Sequence, residues 1–356
     1  MRVIGIDPGT VSFDVCGLND GAVFLDLSIP STDLGADPAA LVEPLRAAGP
    51  LDLVLGPSGY GLPLLRGEQV GEREIAHMVL VRADEAAERV GIGGMRAIIR
   101  ALLASGLPLV FAPGAIHLPT IPAYRKANRI DMGTADKVCS AALAIYDQAR
   151  RESIAYSETA FILLELGGAF SAALAVDGGQ IVDGMGGSSG PLGLRAGGAM
   201  DGEAAYLLGA ALSKETLFSG GAFDIAGDGA HEAEALAADP RYHGGWLALV
   251  EGVCKAALAL TAVLPRPREV LLSGRLSGLP ALREALAERL SSVAPVRAVG
   301  GLGTQAKAAA QGAALLADGL AGGRFAPLVE AMELRGASGS ALDYLRLAST
   351  GSVRLG

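Results

Sequence analysis

Short apolar runs separated by turn residues fill the opening of the chain. Residues 2–6, 11–17 and 22–29 are mostly apolar, and each run has the length of a strand. The triplet NDG at 19–21 lies between the second and third runs, where an Asx-Gly pair is typical of a tight hairpin turn. The pattern predicts three consecutive strands, of which the first ends on DPGT at 7–10.

The same arrangement returns in the second half of the chain. Apolar runs at 160–170, 171–179 and 180–187 follow one another, and the first of them contains an acid followed by glycines. A DGG triplet at 177–179 separates the second run from the third. This internal repeat of strand, acid, glycine turn and strand indicates a duplicated β-hairpin unit.

The remaining positions alternate between helical and strand patterns. Apolar residues at helical spacing predict helices at 38–48, 82–105, 136–151, 201–213, 233–238, 244–262, 279–291 and 304–321. Apolar runs bounded by turn residues predict further strands at 51–59, 107–114, 267–274 and 295–300, and STD at 31–33 opens a polar loop. Helices that alternate with strands predict an α/β fold with mixed sheets.

Composition and charge exclude several classes of function. The chain has 356 residues, 51% of them hydrophobic, so two domains are expected. A formal net charge of −9 opposes binding to a nucleic-acid backbone. Cys16, Cys139 and Cys254 are far apart and lack metal-ligand spacing. Because no leader and no uninterrupted apolar run of about 18 residues is present, we expect a cytoplasmic protein without a membrane partner.

Glycine is about twice as frequent as usual, with 50 residues clustered mainly at strand ends and loops. Glycine lets the backbone approach a ligand closely, so these clusters favour a ligand held by main-chain N–H groups. A compositional bias toward alanine, glycine and leucine is the alternative interpretation.

The first cluster follows a carboxylate. The N–H groups of a tight turn and a threonine hydroxyl can bind phosphate oxygens, which assigns Gly9 and Thr10 to phosphate. A carboxylate repels phosphate unless a divalent cation lies between them, so Asp7 would hold Mg²⁺ through water. An ordinary type I turn is the alternative explanation of this motif.

Two further motifs complete a nucleotide site. Glu165 with Gly167 and Gly168 repeats the first motif, and would supply a second metal carboxylate and a second phosphate turn. The strand that ends at 273–275, with Ser273, Gly274 and Arg275, would enclose a nucleoside. Neither a P-loop sequence nor a GxGxxG motif after the first strand is present.

These motifs resemble those of the acetate and sugar kinase/heat-shock cognate/actin superfamily. Within it, the chain resembles the predicted butyrate kinase family, through NRIDMGTADKVCSAALAIYDQAR (128–150), DGMGGSSGPLGLRAGGAMDGE (183–203), LLSGRLSG (271–278) and AQGAALLADGLAGG (310–323). The resemblance implies two actin-like (ribonuclease H-like) domains, residues 1–155 and 156–356, around a cleft for ATP and Mg²⁺. It also implies phosphoryl transfer to the carboxylate of a small organic acid. The apolar C-terminal half would suit a homodimer.

The resemblance matches individual residues only in part. Arg195 matches the transition-state arginine of the acid kinases. Met132 and Asp136 stand where acetate kinases have histidines, and Pro113 stands where an acid precedes the histidine matched by His117.

Other candidates are polar residues at the ends of predicted elements. Arg66 could pair with a substrate carboxylate. Asp131 could position substrate, act as a base or cap a helix. Asp201 could order metal-bound water or enrich the first turn of the next helix in acid. The predicted substrate contacts are Ser58, Tyr60, His117 and Lys137.

Three functions remain open from the sequence. A carboxylate acceptor needs cations but no general base, whereas a hydroxyl acceptor also needs a positioned base, for which Asp131 and Asp201 are candidates. An ATP-binding regulator or scaffold with slow hydrolysis is the third possibility.

Overall fold

The two strand triplets belong to two different sheets, and each triplet forms one side of its sheet, with its third strand at the edge. The computed structural model describes residues 1–85, 93–348 and 350–355. The strands are β1 (Arg2–Pro8), β2 (Ser12–Asn19), β3 (Ala22–Pro30), β4 (Leu53–Gly56), β5 (Leu65–Arg66), β6 (Leu109–Phe111), β7 (Ala160–Leu166), β8 (Ser171–Asp177), β9 (Gln180–Met185), β10 (Glu269–Ser273) and β11 (Val296–Ala298).

Helices flank both sheets and connect their strands. They are α1 (Ser31–Ala36), α2 (Val42–Ala47), α3 (Glu72–Val79), α4 (Gly93–Leu103), α5 (Ala123–Lys126), α6 (Ala135–Glu152), α7 (Gly202–Leu208), α8 (Ala222–Ala226), α9 (Ala233–Ala238), α10 (His243–Leu260), α11 (Pro280–Arg289), α12 (Ala308–Leu320) and α13 (Ala326–Ala331). No helix in the described ranges is long and apolar enough to span a bilayer.

The two sheets repeat one topology, as the sequence pattern indicated. The strand orders are β3-β2-β1-β4-β6-β5 and β11-β10-β7-β8-β9. In the first sheet β1 pairs antiparallel with β2 and parallel with β4. In the second sheet β7 pairs antiparallel with β8 and parallel with β10. The outer hairpins turn on two left-handed residues each, Asp20-Gly21 and Gly178-Gly179, the conformation that a two-residue type I′ turn requires.

Helices α6 and α12 pack together in the core that both sheets share. A side chain on Gly312 of α12 would place its Cβ 1.8 Å from the carbonyl oxygen of Cys139 in α6. On β1, a Cβ on Gly5 would lie 2.2 Å from the Ala314 backbone nitrogen of α12. Helix α12 therefore returns to the N-terminal sheet, and the predicted domain boundary after residue 155 stays a prediction.

Several predicted elements differ from the structure. Residues 31–33 begin helix α1 instead of a loop, because Ser, Thr and Asp are also residues that start helices. Helix α3 was missed, and the predicted helix at 82–105 begins only at Gly93 within the described ranges, since 86–92 lie outside them. The helix predicted at 201–213 ends at Leu208, where Gly209 takes a left-handed φ. The three cysteines are buried and unpaired with one another.

Candidate functional site

The turn between β1 and β2 faces the turn between β7 and β8 across a cavity of about 220 Å³, here called the turn cavity. A Cβ on Gly168 would lie 3.6 Å from Val11 Cγ2 and 3.9 Å from Thr10 Oγ1. The two turns, which are distant in sequence, are therefore within van der Waals reach of each other at one edge of the cavity.

Both turns have the same hydrogen-bond pattern. Gly9 N–H donates to the carbonyl of Ser12 over 3.0 Å, and Gly167 N–H donates to the carbonyl of Phe170 over 2.9 Å. A Cβ on Gly9 would lie 2.6 Å from the Ser12 oxygen, so a larger residue would push this turn open. The amides of Gly9 and Gly167, expected from the sequence to face phosphate, instead close their turns.

The two-residue tips carry the available donors. Throughout the described ranges, no protein acceptor is hydrogen-bonded to the N–H groups of Thr10, Val11, Gly168 and Ala169, and all four residues line the turn cavity. Backbone N–H groups are almost always paired in folded proteins. Unpaired amides that converge from successive turn residues form anion-binding concavities.

A lysine from helix α12's N-terminus neutralises the acids of the first turn. Lys307 Nζ lies 2.5 Å from Asp14 Oδ2 and 3.8 Å from Asp7 Oδ2, and it donates to the Ser12 carbonyl over 2.8 Å. Burial, reinforced by the neighbouring Asp136 carboxylate, raises the pKa of Asp7 to about 7 despite Lys307. A cation at Asp7 would therefore compete with a proton near neutral pH.

A second lysine bridges the two sheets. Lys137, in the first turn of α6, lies 2.5 Å from Asp136 Oδ2 and 2.6 Å from Glu165 Oε2 on β7. Burial opposes the charge, but Asp136 and Glu165 together raise the pKa of Lys137 above its ordinary value. Burial likewise works against the Asp136 charge, while Lys137 and the Thr134 hydroxyl lower the pKa of Asp136.

The donors are compatible with a divalent cation held largely by water and substrate. Across residues 1–85, 93–348 and 350–355 no group of three or more metal-ligating side chains is assembled. Asp7 and Glu165 nevertheless both line the turn cavity, where Asp131 and Asp136 add two more carboxylates against three cations, Lys137, Arg275 and Lys307. Oxygen donors with an excess of acid suit Mg²⁺, which keeps several waters and binds through one or two carboxylates.

Asp131 joins two loops. Its Oδ1 accepts from Gly133 N–H over 3.1 Å, and its Oδ2 accepts from the N–H and the hydroxyl of Ser188 at 3.0 Å each. The N-cap position of α6 is held by Thr134. Asp131 lines the turn cavity but is already hydrogen-bonded on both carboxylate oxygens.

Part of the lining of the turn cavity is apolar. This apolar wall consists of Val11, Met78, Val79, Met95, Phe170 and Phe218. Phe170 and Phe218 meet edge to face with ring centroids 4.8 Å apart, an arrangement that aromatic pairs prefer. A ligand in this space meets both charged and hydrocarbon side chains.

A family model described as "Protein of unknown function (DUF1464)" matches residues 5–347. The chain belongs to this family. No curated protein matches the chain in sequence.

The fold of this DUF1464 chain is shared with solved kinases of low identity. A propionate kinase from Francisella tularensis aligns with a TM-score of 0.60 and 12% identity, over 87% of this chain and 98% of that one. An acetate kinase from Entamoeba histolytica aligns with a TM-score of 0.56 and 12% identity, over 82% of this chain and 87% of that one. An acetate kinase from Porphyromonas gingivalis aligns with a TM-score of 0.55 and 13% identity, over 82% of this chain and 88% of that one. The likeness confirms the expected fold class, that of two actin-like α/β units.

The turn cavity of the DUF1464 chain gathers ten of the residues that the sequence predicted for the site. They are Asp7, Gly9, Thr10, Tyr60, Asp131, Lys137, Glu165, Gly167, Gly168 and Arg275. These residues come from both halves of the chain, and their shared position follows from the opposed turns.

Three predicted catalytic residues, Arg195, Asp201 and Arg66, do not line the cavity. The Arg195 side chain is exposed, with its guanidinium 5.7 Å from the Phe223 ring centroid, although its backbone N–H binds the Ala169 carbonyl of the second turn. Asp201 caps helix α7 by accepting from Glu203 and Ala204 N–H, which corresponds to its helix-start alternative. Arg66 is exposed on β5. A role for Arg195 remains a prediction that requires movement of its side chain.

The other predicted residues outside the cavity are engaged elsewhere. Ser58 Oγ donates to the Ala112 carbonyl over 2.8 Å. His117 is buried with Nδ1 3.2 Å from the Gly114 carbonyl, and burial lowers the pKa of its imidazole to about 4. Ser273 is buried, and a Cβ on Gly274 would lie 2.5 Å from Glu165 Oε1, so these two residues back the site from outside the lining.

Sequence reasoning missed Lys307 and Asp14. Lys307 is the only cationic residue between positions 298 and 323. A single lysine in such an apolar, glycine-rich stretch could have indicated a cation that pairs with a buried acid. Asp14 interrupts the apolar β2 strand and is 1% exposed, which for a carboxylate requires a partner.

Proposed function

We propose that this protein is an ATP-dependent phosphotransferase whose acceptor is a small organic acid, as in a butyrate or acetate kinase. The observation that carries the proposal is the opposed pair of turn tips, where the N–H groups of Thr10, Val11, Gly168 and Ala169 have no protein acceptor and line one cavity. A polyphosphate chain supplies acceptors to both tips at once.

The roles of the charged residues follow from their positions. The tip amides and the Thr10 hydroxyl would bind phosphate oxygens. Asp7 and Glu165 would hold Mg²⁺, mainly through water, and this ion would supply charge that offsets the phosphate oxygens. Lys137 and Arg275, which line the same cavity, would stabilise negative charge that spreads over the transferred group.

We assign a carboxylate acceptor because neither candidate general base is free to act in the cavity. Of the two candidate bases for a hydroxyl acceptor, Asp131 is hydrogen-bonded on both oxygens and Asp201 caps α7. A carboxylate acceptor is already ionised at neutral pH and needs no base. The apolar wall that includes Met78 and Phe170 also suits the hydrocarbon part of an acid better than a polyol.

The test is a screen of short organic acids and polyols with purified protein and Mg·ATP, followed by ADP release. Hydroxylamine is added in parallel, because it traps an acyl phosphate as a hydroxamate and leaves a phosphate ester intact. We expect ADP release with hydroxamate for at least one acid. Release with polyols alone would point to a hydroxyl acceptor, and slow release that ignores every acceptor would favour an ATP-dependent regulator.

A matched pair of lysine variants controls the screen. Lys137→Met removes the cation that bridges Asp136 and Glu165, and we expect kcat to fall by about 10²-fold or more. Lys255→Met removes an exposed lysine that pairs with Glu251 on α10, and we expect it to behave as the wild type. Equal activity of both variants would remove Lys137 from the proposed machinery.

A further inference from the structure

A second cavity of about 270 Å³, here called the side cavity, adjoins the turn cavity. Tyr60 lines both. In four pairs of adjacent residues, one residue lines the turn cavity and its neighbour lines the side cavity. The pairs, with the turn-cavity residue first, are Val79 and Leu80, Asp131 and Ile130, Gly187 and Ser188, and Phe218 and Leu217. The wall between the cavities is therefore about one residue thick.

The side cavity contains a buried lysine whose side chain contacts only neutral groups. Lys214 is 8% exposed. Its ammonium donates to the Tyr60 hydroxyl over 3.0 Å and to the Leu80 carbonyl over 3.2 Å. An ammonium has three donors, and within the described ranges the third has no protein acceptor and no carboxylate lies at ion-pair distance.

The charged residues of the side cavity provide no ion-pair partner for the Lys214 side chain. Among the described residues its charged lining consists of Arg82, Glu85 and Lys214. Glu85 already pairs with Arg82, whose Nε lies 3.0 Å from Oε1, and Glu85 Oε2 accepts from the backbone N–H of Lys214. Arg82 Nε also lies 3.3 Å from Asp84 Oδ1, whereas the Lys214 ammonium has only neutral groups beside it, including the Tyr60 ring at 4.3 Å. A buried ammonium without a carboxylate at ion-pair distance is costly unless a ligand pairs with it.

We propose that the small molecule bound in the turn cavity carries a second anionic group, which reaches the side cavity and is bound by Lys214. Naming that molecule as the phosphoryl acceptor rests on the proposed function; the anion site at Lys214 rests on the contacts above. The acceptor is then a dicarboxylic acid, or an acid with a terminal phosphate or phosphonate, with a hydrocarbon segment between its two charged ends.

Two features of the site support this assignment. The lining of the turn cavity combines the charges around Lys137 with apolar side chains, among which Val79 and Phe218 adjoin residues of the side cavity, so a ligand with a hydrocarbon segment is accommodated. Burial also lowers the pKa of Lys214 to about 8, and an anion beside the ammonium would favour its charged form. Perturbed lysines in clefts frequently belong to functional sites.

The experiment compares acids that differ only at the far end. Butyrate with succinate, hexanoate with adipate, and octanoate with suberate are titrated calorimetrically into wild-type protein saturated with Mg²⁺ and a non-hydrolysable ATP analogue. 6-Phosphonohexanoate tests a phosphonate in place of the second carboxylate. The same series is measured on Lys214→Met, on Lys214→Arg and on the exposed control Lys255→Met, after circular dichroism has shown that each is folded.

We expect at least one doubly charged acid to bind wild type about tenfold or more tighter than its matched monoacid. Lys214→Met should remove that preference, while Lys214→Arg and Lys255→Met keep it. The inference is overturned if the wild type binds no doubly charged acid more tightly than the matched monoacid. It is also overturned if the preference for a doubly charged acid survives in Lys214→Met. A Lys214-dependent preference without ADP release would refute the phosphotransferase alone; turnover of monoacids only would refute the second anionic group alone.

Discussion

Removing the Lys307 ammonium should destabilise the protein in a way that depends on pH. Lys307 is the cation that lies 2.5 Å from Asp14 and 3.8 Å from Asp7. The two carboxylates are 1% and 5% exposed. Among the described residues, Lys307 is the one ion-pair partner of both acids, and Lys307→Met would remove it.

The magnitude follows from the burial of the two acids. Breaking a buried ion pair by removing one partner typically costs about 3–5 kcal/mol. The Lys307 side chain is 29% exposed, so water can partly replace it, and we expect a loss of about 3 kcal/mol at pH 8. The matching control is Lys255→Met, for which we expect a change within about 0.5 kcal/mol.

The sign of the pH dependence is fixed by the direction of the pKa shift. Burial already raises the pKa of Asp7 to about 7, and loss of Lys307 would raise it further. An acid whose pKa is higher in the folded state binds protons preferentially when folded, so the variant regains stability as pH falls from 8 toward 5. Lys307→Met with Asp14→Asn should recover part of the loss at pH 8.

Urea unfolding followed by circular dichroism at pH 8 and pH 6 measures both effects. We expect the difference between wild type and Lys307→Met to be clearly smaller at pH 6. A loss below about 1 kcal/mol at pH 8, or the same loss at both pH values, would refute the electrostatic reasoning.

Three other outcomes follow from single residues. Burial lowers the pKa of His117 to about 4, so as pH falls the unfolded chain binds a proton at this histidine before the folded protein does. Urea unfolding should therefore show that the wild type loses about 2 kcal/mol of stability between pH 7 and pH 5, and that His117→Gln does not show this loss. Gly312→Ala should lose more than about 2 kcal/mol in the same assay because its Cβ would meet the Cys139 carbonyl, whereas the exposed Gly244→Ala, with open space around it, should lose nothing. Arg195→Ala should lower kcat by about 10³-fold with ATP-analogue affinity nearly unchanged in calorimetry; unchanged kcat would show that Arg195 stays outside the reaction, where its side chain now lies.

The sequence predicted local features better than long-range contacts. The NDG and DGG turns and the runs beside them predicted both hairpins, because two-residue turns are specified by the residues within them. The opposed acid-glycine turns followed from recognising the repeat. Helix α3 was not predicted, although its buried residues Ile75, Met78 and Val79 follow the i, i+3, i+4 spacing of an amphipathic helix. With only eight residues, this apolar stripe spans little more than two turns.

The details of the site depended on contacts that sequence spacing does not encode. Lys307 and Asp14 are almost 300 residues apart, and only the packing of α12 on β1 and β2 brings them together. The sequence assigned phosphate contacts to Gly9, Thr10, Gly167 and Gly168, but it did not show that the N–H groups of Gly9 and Gly167 close the turns. Which amides of a turn stay unpaired depends on its hydrogen bonds, and the sequence specifies only that a turn is present.

Amide resonances test the central claim most directly. ¹H–¹⁵N spectra of the full chain would be recorded during titration with Mg²⁺ and a non-hydrolysable ATP analogue. We expect large shifts for the amides of Thr10, Val11, Gly168 and Ala169, and little change at the outer hairpin turn around Gly178. Spectra in which those four amides stay in place at saturating nucleotide would contradict the account, whether or not the nucleotide binds elsewhere.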